Sequence, residues 1–328
     1  MTKLLSRDDV MVLLGMGETI EILEKAFSDL AEGRAVMPQS TPITSPDHEG
    51  MAMFMPAYLK GVGALGSKIV TVFQYNQLKH DMAPVQGTII LLDERNGSTL
   101  AVMEAGHLTE MRTGGVAGLA TKHMARRDAA VHTMLGTGSM ARALAWAVDC
   151  VRPIERLLLH SVDPMEKRQV FVESLRDIIE CEIVLTDDPV EAIGRADVVT
   201  LATDAKDPIV EADWFRPGTH INGVGSNSPA SREIDGETVM RSKVVCDLID
   251  ACKTEAGDLI IPAETGDWSW EETRGDLGDV ITGKLTGRED DDEITLFKSV
   301  GLAIQDISTA HHVYIKAMEN GAGIDFQF

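Results

Sequence analysis

The feature that most constrains the fold is a series of short apolar segments that alternate with helical patterns from about residue 130 onward. The segments are VHTMLG, RLLLHSV, CEIVLT, ADVVTLAT, THINGVG and KVVCDLI, and none shows regular polar alternation. Strands of this kind are buried on both faces, which is typical of a parallel sheet covered by helices. The sequence therefore predicts an α/β domain in this part of the chain.

The N-terminal part has a different pattern. Residues 51–103 contain the short β-rich segments MAMFMPAYL, GALGSKIVTVF and GTIILLDERNGSTLAVME. The pair Asn96-Gly97 is a strong hairpin signal, so we expect a mostly antiparallel sheet here. Apolar residues at helical spacing predict one amphipathic helix over 15–33 and another over about 301–319. The last helix resembles the N-terminal region in its pattern of residue types. We therefore expect this helix to pack against that region.

Composition narrows the class of protein. The chain has 328 residues, of which 44% are hydrophobic, a length that favours two domains over one. Its formal net charge of −22 argues against nucleic acid or an anionic membrane as a partner. The N-terminus does not read as a targeting signal, and no apolar run reaches the roughly 18 residues of a membrane span. The cysteines lack CxxC spacing, so we expect a cytoplasmic protein with reduced thiols.

The segment GTGSMA follows an apolar strand and opens a helix. In that context Gly136 permits a tight turn, Gly138 lets the backbone approach a pyrophosphate, and Ala141 allows close helix–strand packing. The glycine loop also contains Thr137, Ser139 and Met140. Backbone N–H groups there, at the start of the helix, would then bind the phosphates. The pattern predicts a Rossmann-type dinucleotide site; the alternative is a plain glycine turn in a domain without a cofactor.

The end of the second strand bears on cofactor choice. An acidic residue there would bind the ribose 2′-hydroxyl and repel a 2′-phosphate. Ser161 occupies the expected position, and Asp163 stands two residues further on. A neutral serine weakens the case for strict NAD dependence, whereas the lack of an adjacent arginine weakens the case for NADP. The cofactor is therefore predicted as NAD or NADP.

Lys68 and Arg112 are cations among apolar or small neighbours, in GSKIVTVF and LTEMRTGG. A lysine within a strand pattern is costly to bury without a partner. Such a lysine could bind a substrate carboxylate or transfer protons, and the arginine could hold a carboxylate through two hydrogen bonds. The alternative is a structural role in which the two cations pair with Glu104 or Asp93.

A larger set of segments carries a resemblance to a known family. In chain order they are GSKIVTVFQYN, LLDERNGSTLAVMEAGHLTEMRTGGVAGLATKHMAR, LGTGSMAR, INGVGSNSPASREID and DEITLFKSVGLAIQD. Together they resemble the ornithine cyclodeaminase/mu-crystallin family over nearly the whole chain. The resemblance implies an α/β fold in which a Rossmann-type doubly wound parallel sheet, residues 116–299, is inserted in a second α+β domain. That second domain, residues 1–115 plus 300–328, would bind substrate and form a homodimer.

The resemblance also implies roles for individual residues. Lys68 would match the active-site lysine and Arg112 the arginine that holds the substrate carboxylate. The cofactor contacts implied in this way are the glycine loop Gly136, Thr137, Gly138, Ser139 and Met140, with Ser161, Thr203, Val224, Gly225 and Ser299. Members of the family oxidise an amino acid at Cα, or reduce the corresponding imine, with a nicotinamide cofactor. We therefore expect an amino or imino acid as substrate.

Departures from the family pattern separate the possible activities. Cyclodeaminases carry an aspartate where this chain has Asn227, and an amide is neither a base nor a counter-ion for an ammonium group. The segment AVMPQSTPITSP also lacks an arginine that members use on the carboxylate. These departures favour an imine reductase or amino-acid dehydrogenase. The alternatives are an ornithine cyclodeaminase and a mu-crystallin-like protein that binds NAD(P)H and a small ligand. No zinc spacing or Ser-His-Asp arrangement is present, so we predict no metal.

Overall fold

The chain forms two units, which are described separately. In the computed structural model, which describes residues 1–327, Met1–Arg112 cluster with residues from Leu302 onward. The second unit is Thr113–Gly301. The chain thus begins the first unit, forms the second, and returns to the first. Within residues 1–327, no helix has the length and apolar character needed to cross a membrane.

The strands and helices have the following bounds. The strands are β1 Thr2–Leu5, β2 Ala35–Val36, β3 Thr41–Ser45, β4 Gly50–Leu59, β5 Ala64–Phe73, β6 Val85–Asp93, β7 Thr99–Glu104, β8 Val131–Leu135, β9 Arg156–His160, β10 Glu182–Leu185, β11 Val198–Leu201, β12 His220–Gly223, β13 Lys243–Cys246, β14 Gly275–Asp276, β15 Thr295–Lys298 and β16 Ile324–Phe326. The helices are α1 Arg7–Leu13, α2 Met16–Ala31, α3 Asn76–His80, α4 Gly106–Met124, α5 Ala141–Val151, α6 Met165–Leu175, α7 Pro189–Arg195, α8 Gly236–Arg241, α9 Ile249–Glu255, α10 Gly257–Thr265, α11 Leu277–Ile281 and α12 Ala303–Asn320.

The sheet of the first unit has the strand order β16-β1-β7-β6-β5-β4-β2, with β3 also paired to β4. Strands β4 to β7 are antiparallel neighbours, and β1 joins β7 in parallel. The turn between β6 and β7 contains Gly97 at φ +76°, a conformation that suits glycine, and its N–H donates to Asp93 O at 2.8 Å. The predicted antiparallel sheet and its Asn96-Gly97 hairpin are confirmed.

Helix α12 packs across β4, β5 and β6 and against α2, as expected for the last helix. Its close approach to β5 depends on Gly66, because a Cβ there would lie 2.4 Å from Ile90 O and 3.3 Å from Ile307 Cδ1. Side chains two residues apart on a strand share a face. The buried face of β5 therefore carries Ala64, Gly66 and Lys68, and Lys68 lies on the side covered by α12.

The sheet of the second unit has the order β10-β9-β8-β11-β12-β15-β13-β14, and all neighbouring strands are parallel. From β8 the chain proceeds outward to β9 and β10, then returns to the other side of β8 to form β11 and β12. This reversal is the doubly wound arrangement in which ligands bind beyond the carboxyl ends of the central strands. The predicted Rossmann-type α/β fold is confirmed.

Helix α4 was not predicted from the sequence, although it carries Arg112. Its sequence GHLTEMRTGGVAGLATKHM has small or apolar residues on nearly every side, so it lacks the alternation of apolar and polar faces that marks an amphipathic helix. At Gly114 an added Cβ would lie 2.4 Å from Ala143 O, so the glycine permits close packing against α5. The boundary between the two units falls within this helix.

Candidate functional site

A buried cation lies on β5, an interior strand of the first unit's sheet. Lys68 is 3% exposed and pairs across the sheet with Met55 on β4 and Ile89 on β6. Its Nζ lies 2.8 Å from Oδ2 of Asp306, in the first turn of α12. The β5 register thus directs the ammonium group toward a carboxylate on the covering helix.

The same carboxylate binds the second predicted cation. Arg112 donates from Nε to Asp306 Oδ1 at 3.0 Å and from Nη1 to Gln305 Oε1 at 2.8 Å. Its Nη2 donates to none of the residues that the structure describes. The structure therefore brings Lys68 and Arg112 together around one acid and leaves one edge of the guanidinium group available for a ligand.

Asp306 is the residue that completes this cluster, and its side chain is fully buried. Two cations and the N-terminal end of the α12 dipole stabilise the carboxylate there. The alternative pairing with Asp93 or Glu104 is wrong. Asp93 binds Arg95 at 2.7 Å, and Glu104 accepts from the backbone N–H of Gly106 at 2.6 Å.

The cluster has an excess of positive charge. When Lys68 is protonated, two cations face one carboxylate, which leaves a buried surplus of one positive charge that a bound anion would neutralise. Burial lowers the pKa of Lys68 to about 8; the charge of Asp306 opposes this shift and that of Arg112 adds to it. The ammonium group can therefore gain or lose a proton near neutral pH.

Polar side-chain atoms of α12 near the cluster lack a hydrogen-bond partner. Gln305 Nε2 and Thr309 Oγ1 are buried, and neither forms a hydrogen bond within residues 1–327. An unsatisfied buried donor costs about 1–3 kcal/mol. Since Gln305 also accepts from Arg112, its free amide N–H groups lie next to the cationic cluster. A polar ligand or water there would satisfy them.

In the second unit the glycine loop has the geometry needed to bind phosphate. Gly136 has φ +107°, and an added Cβ would lie 2.5 Å from Ala202 O, so only glycine fits. Gly138 faces open space, with its nearest neighbour at 4.0 Å. The N–H groups of Thr137, Gly138, Ser139 and Met140 donate to no described residue. This row of free donors at the start of α5 fits the pyrophosphate of a dinucleotide.

The carboxylate of Asp163 lies beside this loop. Thr137 Oγ1 donates to Asp163 Oδ2 at 2.6 Å, and Ser161 Oγ lies 3.1 Å from Thr137 Oγ1 and 3.2 Å from the carboxylate. The hydrogen bond from Thr137 lowers the pKa of the Asp163 carboxyl group. An acid therefore stands next to Ser161, at the end of the second strand, although the sequence places it two residues later.

The remaining predicted residues follow the carboxyl ends of strands in the second unit. Thr203 and Gly225 donate from their backbone N–H groups to Glu233, and Val224 is partly buried. Ser299 Oγ donates to Asp247 at 2.8 Å, so its hydroxyl hydrogen is already used. Asn227 is exposed, and its side chain bonds to no described residue.

Comparison with known proteins identifies the family of the chain. The family model for the ornithine cyclodeaminase/mu-crystallin family matches residues 1–321. The chain belongs to that family. The predicted resemblance is thus confirmed, and with it the doubly wound fold that family members share.

Three relatives of this family member are informative. The structure of Thermococcus litoralis Δ1-pyrroline-2-carboxylate reductase in complex with NADH and L-proline has 40% sequence identity and a TM-score of 0.94, covering 99% of this chain and 100% of that one. An archaeal alanine dehydrogenase dimer with bound NAD has 32% identity and a TM-score of 0.92, covering 100% and 99%. The Δ1-pyrroline-2-carboxylate reductase of Bacillus cereus is 34% identical over 325 residues, 99% of each chain.

The sequence reading of this family member missed Asp306 and Gln305. A signal was present, because Asp306 falls on the apolar stripe of the last helix, between Leu302 and Ala310. A carboxylate at such a position is buried and requires cationic partners. That reasoning would have connected the last helix to Lys68 and Arg112.

The surplus charge of the cluster makes a stability prediction. Asp306→Asn would leave two buried cations without a counter-ion, so we expect it to lower the free energy of unfolding by about 3–5 kcal/mol. Lys68→Met would leave one balanced pair, so we expect a clearly smaller loss. Urea unfolding at pH 7 measures both variants. A larger loss for Lys68→Met than for Asp306→Asn would contradict the charge balance described here.

Proposed function

We propose that this protein is a nicotinamide-dependent oxidoreductase that acts on the C–N bond of a cyclic α-imino acid such as Δ1-pyrroline-2-carboxylate. The observation that carries the proposal is the Lys68–Arg112–Asp306 cluster, with its surplus positive charge and free donors. Such a cluster suits the carboxylate of an amino or imino acid. The names of the relatives at 40% and 34% identity support the choice of substrate.

The two units would divide the work. The first unit would bind the substrate carboxylate through Arg112 Nη2 and the Lys68 ammonium group, with Gln305 Nε2 as a further donor. The second unit would bind the cofactor through the glycine loop, Ser161 and the strand ends at Thr203, Val224 and Gly225. The archaeal relative is described as a dimer, which supports the predicted homodimer.

The chemistry assigned to the chain is mainly positioning and proton transfer. When bound, the nicotinamide would supply a hydride to the imine carbon or accept one from the amino acid. Lys68 would give the matching proton to the imine nitrogen during reduction and take it back during oxidation, as its pKa of about 8 permits. Asn227 would orient a polar group of the substrate by hydrogen bonding.

NAD is the cofactor that the geometry favours. The Asp163 carboxylate lies within hydrogen-bond distance of Ser161 and Thr137, where the adenosine ribose of a dinucleotide would bind. An anion there would accept from a ribose 2′-hydroxyl and repel a 2′-phosphate. NADH and NAD in the structures of two relatives support this choice.

The alternatives make different demands on the site. Cyclisation of ornithine requires a group for its second amino group, and Asn227 supplies no charge for that purpose. An alanine dehydrogenase is the second candidate, supported by the archaeal relative. A protein that only binds cofactor and ligand would need no group that titrates near neutral pH in its anion site.

A substrate comparison tests the proposed function. The protein is incubated with NADH and either Δ1-pyrroline-2-carboxylate or pyruvate plus ammonia while the absorbance of NADH is followed. In a third incubation, with NAD and ornithine, the proline formed is quantified, because cyclodeamination causes no net change in NADH. We expect the cyclic imine to have the highest kcat/KM and to yield proline. Faster turnover of pyruvate would favour the dehydrogenase, and proline from ornithine the cyclodeaminase. Cofactor binding without any turnover would overturn the enzymatic proposal.

The proton-transfer role predicts a pH dependence. Because reduction needs the protonated form of Lys68, kcat/KM for the imine should be level below about pH 8 and fall above it. Oxidation of proline should rise through the same range. Lys68→Met should be slower by about 10- to 100-fold and lack this step. A wild-type profile without a step between about pH 7 and 9 would remove Lys68 from proton transfer.

The position of Asp163 predicts cofactor preference. We expect the wild type to prefer NADH and Asp163→Ser to shift the ratio of kcat/KM values toward NADPH by about tenfold or more, since the repulsion of a 2′-phosphate is lost. Asp177→Ser is the matched control, because it removes the charge of an exposed carboxylate from the same unit. An equal shift in both variants would mean that net charge alone sets the preference.

A further inference from the structure

A buried carboxylate in the second unit holds two strand ends together. Glu233 is fully buried and accepts four hydrogen bonds. Thr203 donates to Oε1 from its N–H at 2.7 Å and from Oγ1 at 2.8 Å. Gly225 N–H and Ser226 N–H donate to Oε2 at 2.9 and 3.2 Å. Glu233 thus links the loop after β11 to the loop after β12.

A buried ion pair fixes Glu233 in turn. Lys298, at the end of β15, donates from Nζ to Asp258 Oδ2 and to Ser226 O, both at 2.6 Å. The other oxygen of Asp258 accepts from the N–H groups of Glu233 at 2.6 Å and Ile234 at 3.0 Å. Lys298 and Asp258 are fully buried. The loops after three parallel strands are therefore joined by Glu233, Asp258 and Lys298, which we call the clamp.

The clamp explains a sequence constraint next to the candidate cofactor site. A Cβ on Gly225 would lie 2.4–2.5 Å from the carboxylate atoms of Glu233, so the loop approaches the acid as only glycine allows. The N–H groups of Thr203 and Gly225 are used by Glu233. The carbonyl oxygens of Thr203, Val224 and Gly225 accept no hydrogen bond from a described residue. They are acceptors available to a ligand.

We propose that Glu233 is a positioning residue that holds these carbonyl oxygens to accept hydrogen bonds from the carboxamide group of a bound nicotinamide. The inference rests on the proposed function and extends it. A carboxamide presents two N–H donors, and the carboxyl ends of central strands are where doubly wound sheets bind ligands. Since the hydrogen bonds of the clamp join strand-end loops and none of them reaches the glycine loop, we expect it to act chiefly on the nicotinamide half of the cofactor.

Asp197 provides a matched control for a purely structural effect. It is a buried carboxylate of the same unit. Because it directly precedes β11, it lies at the amino ends of the parallel strands, away from the strand-end loops that the clamp joins. Its Oδ2 accepts from the N–H groups of Ala130 at 2.9 Å and Val131 at 3.0 Å, and its Oδ1 pairs with Arg126 and Arg216. Removing its charge should destabilise the fold without touching the strand ends.

The experiment compares the binding of NADH with that of ADP-ribose, which lacks the nicotinamide, by isothermal calorimetry. Glu233→Gln replaces one carboxylate oxygen by an NH2 group. That group cannot accept the hydrogen bonds that the oxygen accepts from the strand-end loops. We expect it to weaken NADH binding by about tenfold or more while ADP-ribose binding stays within about twofold of the wild type. Asp197→Asn should lower the thermal midpoint of unfolding but leave the NADH to ADP-ribose affinity ratio unchanged.

Asp258→Asn weakens the clamp at the ion pair with Lys298 and not at Glu233 itself. It provides the same comparison if Glu233→Gln does not fold. Equal weakening of NADH and ADP-ribose by these clamp variants would mean a structural role and would overturn this inference alone. Failure of the wild type to bind either compound would overturn the proposed function as well. Selective loss of NADH affinity in a clamp variant, absent in Asp197→Asn, supports the positioning role.

Discussion

The first unit depends on one carboxylate that two buried cations share. Without Asp306, the positive charges of Lys68 and Arg112 would be buried with no counter-ion, at a high cost in free energy. Both charges are needed if the site is to attract an anion. The carboxylate of Asp306 therefore stabilises the fold but neutralises only one of the two positive charges. The second positive charge remains available to attract an anionic ligand. In the proposed function, stability and anion binding would depend on the same three side chains.

The second unit uses buried carboxylates in a different way. Asp258 pairs with Lys298, but Glu233 and Asp247 accept chiefly from backbone N–H groups and hydroxyls of loops at the carboxyl ends of strands. Loops at these positions are where ligand-binding groups lie in a doubly wound sheet. Hydrogen bonds from these loops to buried carboxylates would keep the loops in place before a cofactor binds. Such pre-organisation lowers the entropic cost of binding.

Local patterns predicted the two sheets, the glycine loop and the two cations, because each leaves a mark within a few residues. Strands buried on both faces, such as Val198–Leu201, read as continuous apolar runs, and Asn96-Gly97 marks its own turn. Helix α4 left no such mark, since it lacks a polar face. Asp306 could not be assigned to Arg112 from spacing, because 194 residues separate them. Glu233 lies in the polar segment SPASREID, which suggests a surface residue; only the fold shows that it is buried.

The order of the chain has a consequence for synthesis. Lys68 and Arg112 leave the ribosome long before Asp306, and the whole Thr113–Gly301 unit is made in between. Until α12 emerges, no carboxylate of that helix can compensate the burial of these two cations, so closure of the first unit's sheet around them would be unfavourable. The inserted unit can form during that interval. A chain that stops short of the last helix would therefore remain open to proteases, and only complete chains would acquire a site that binds anions.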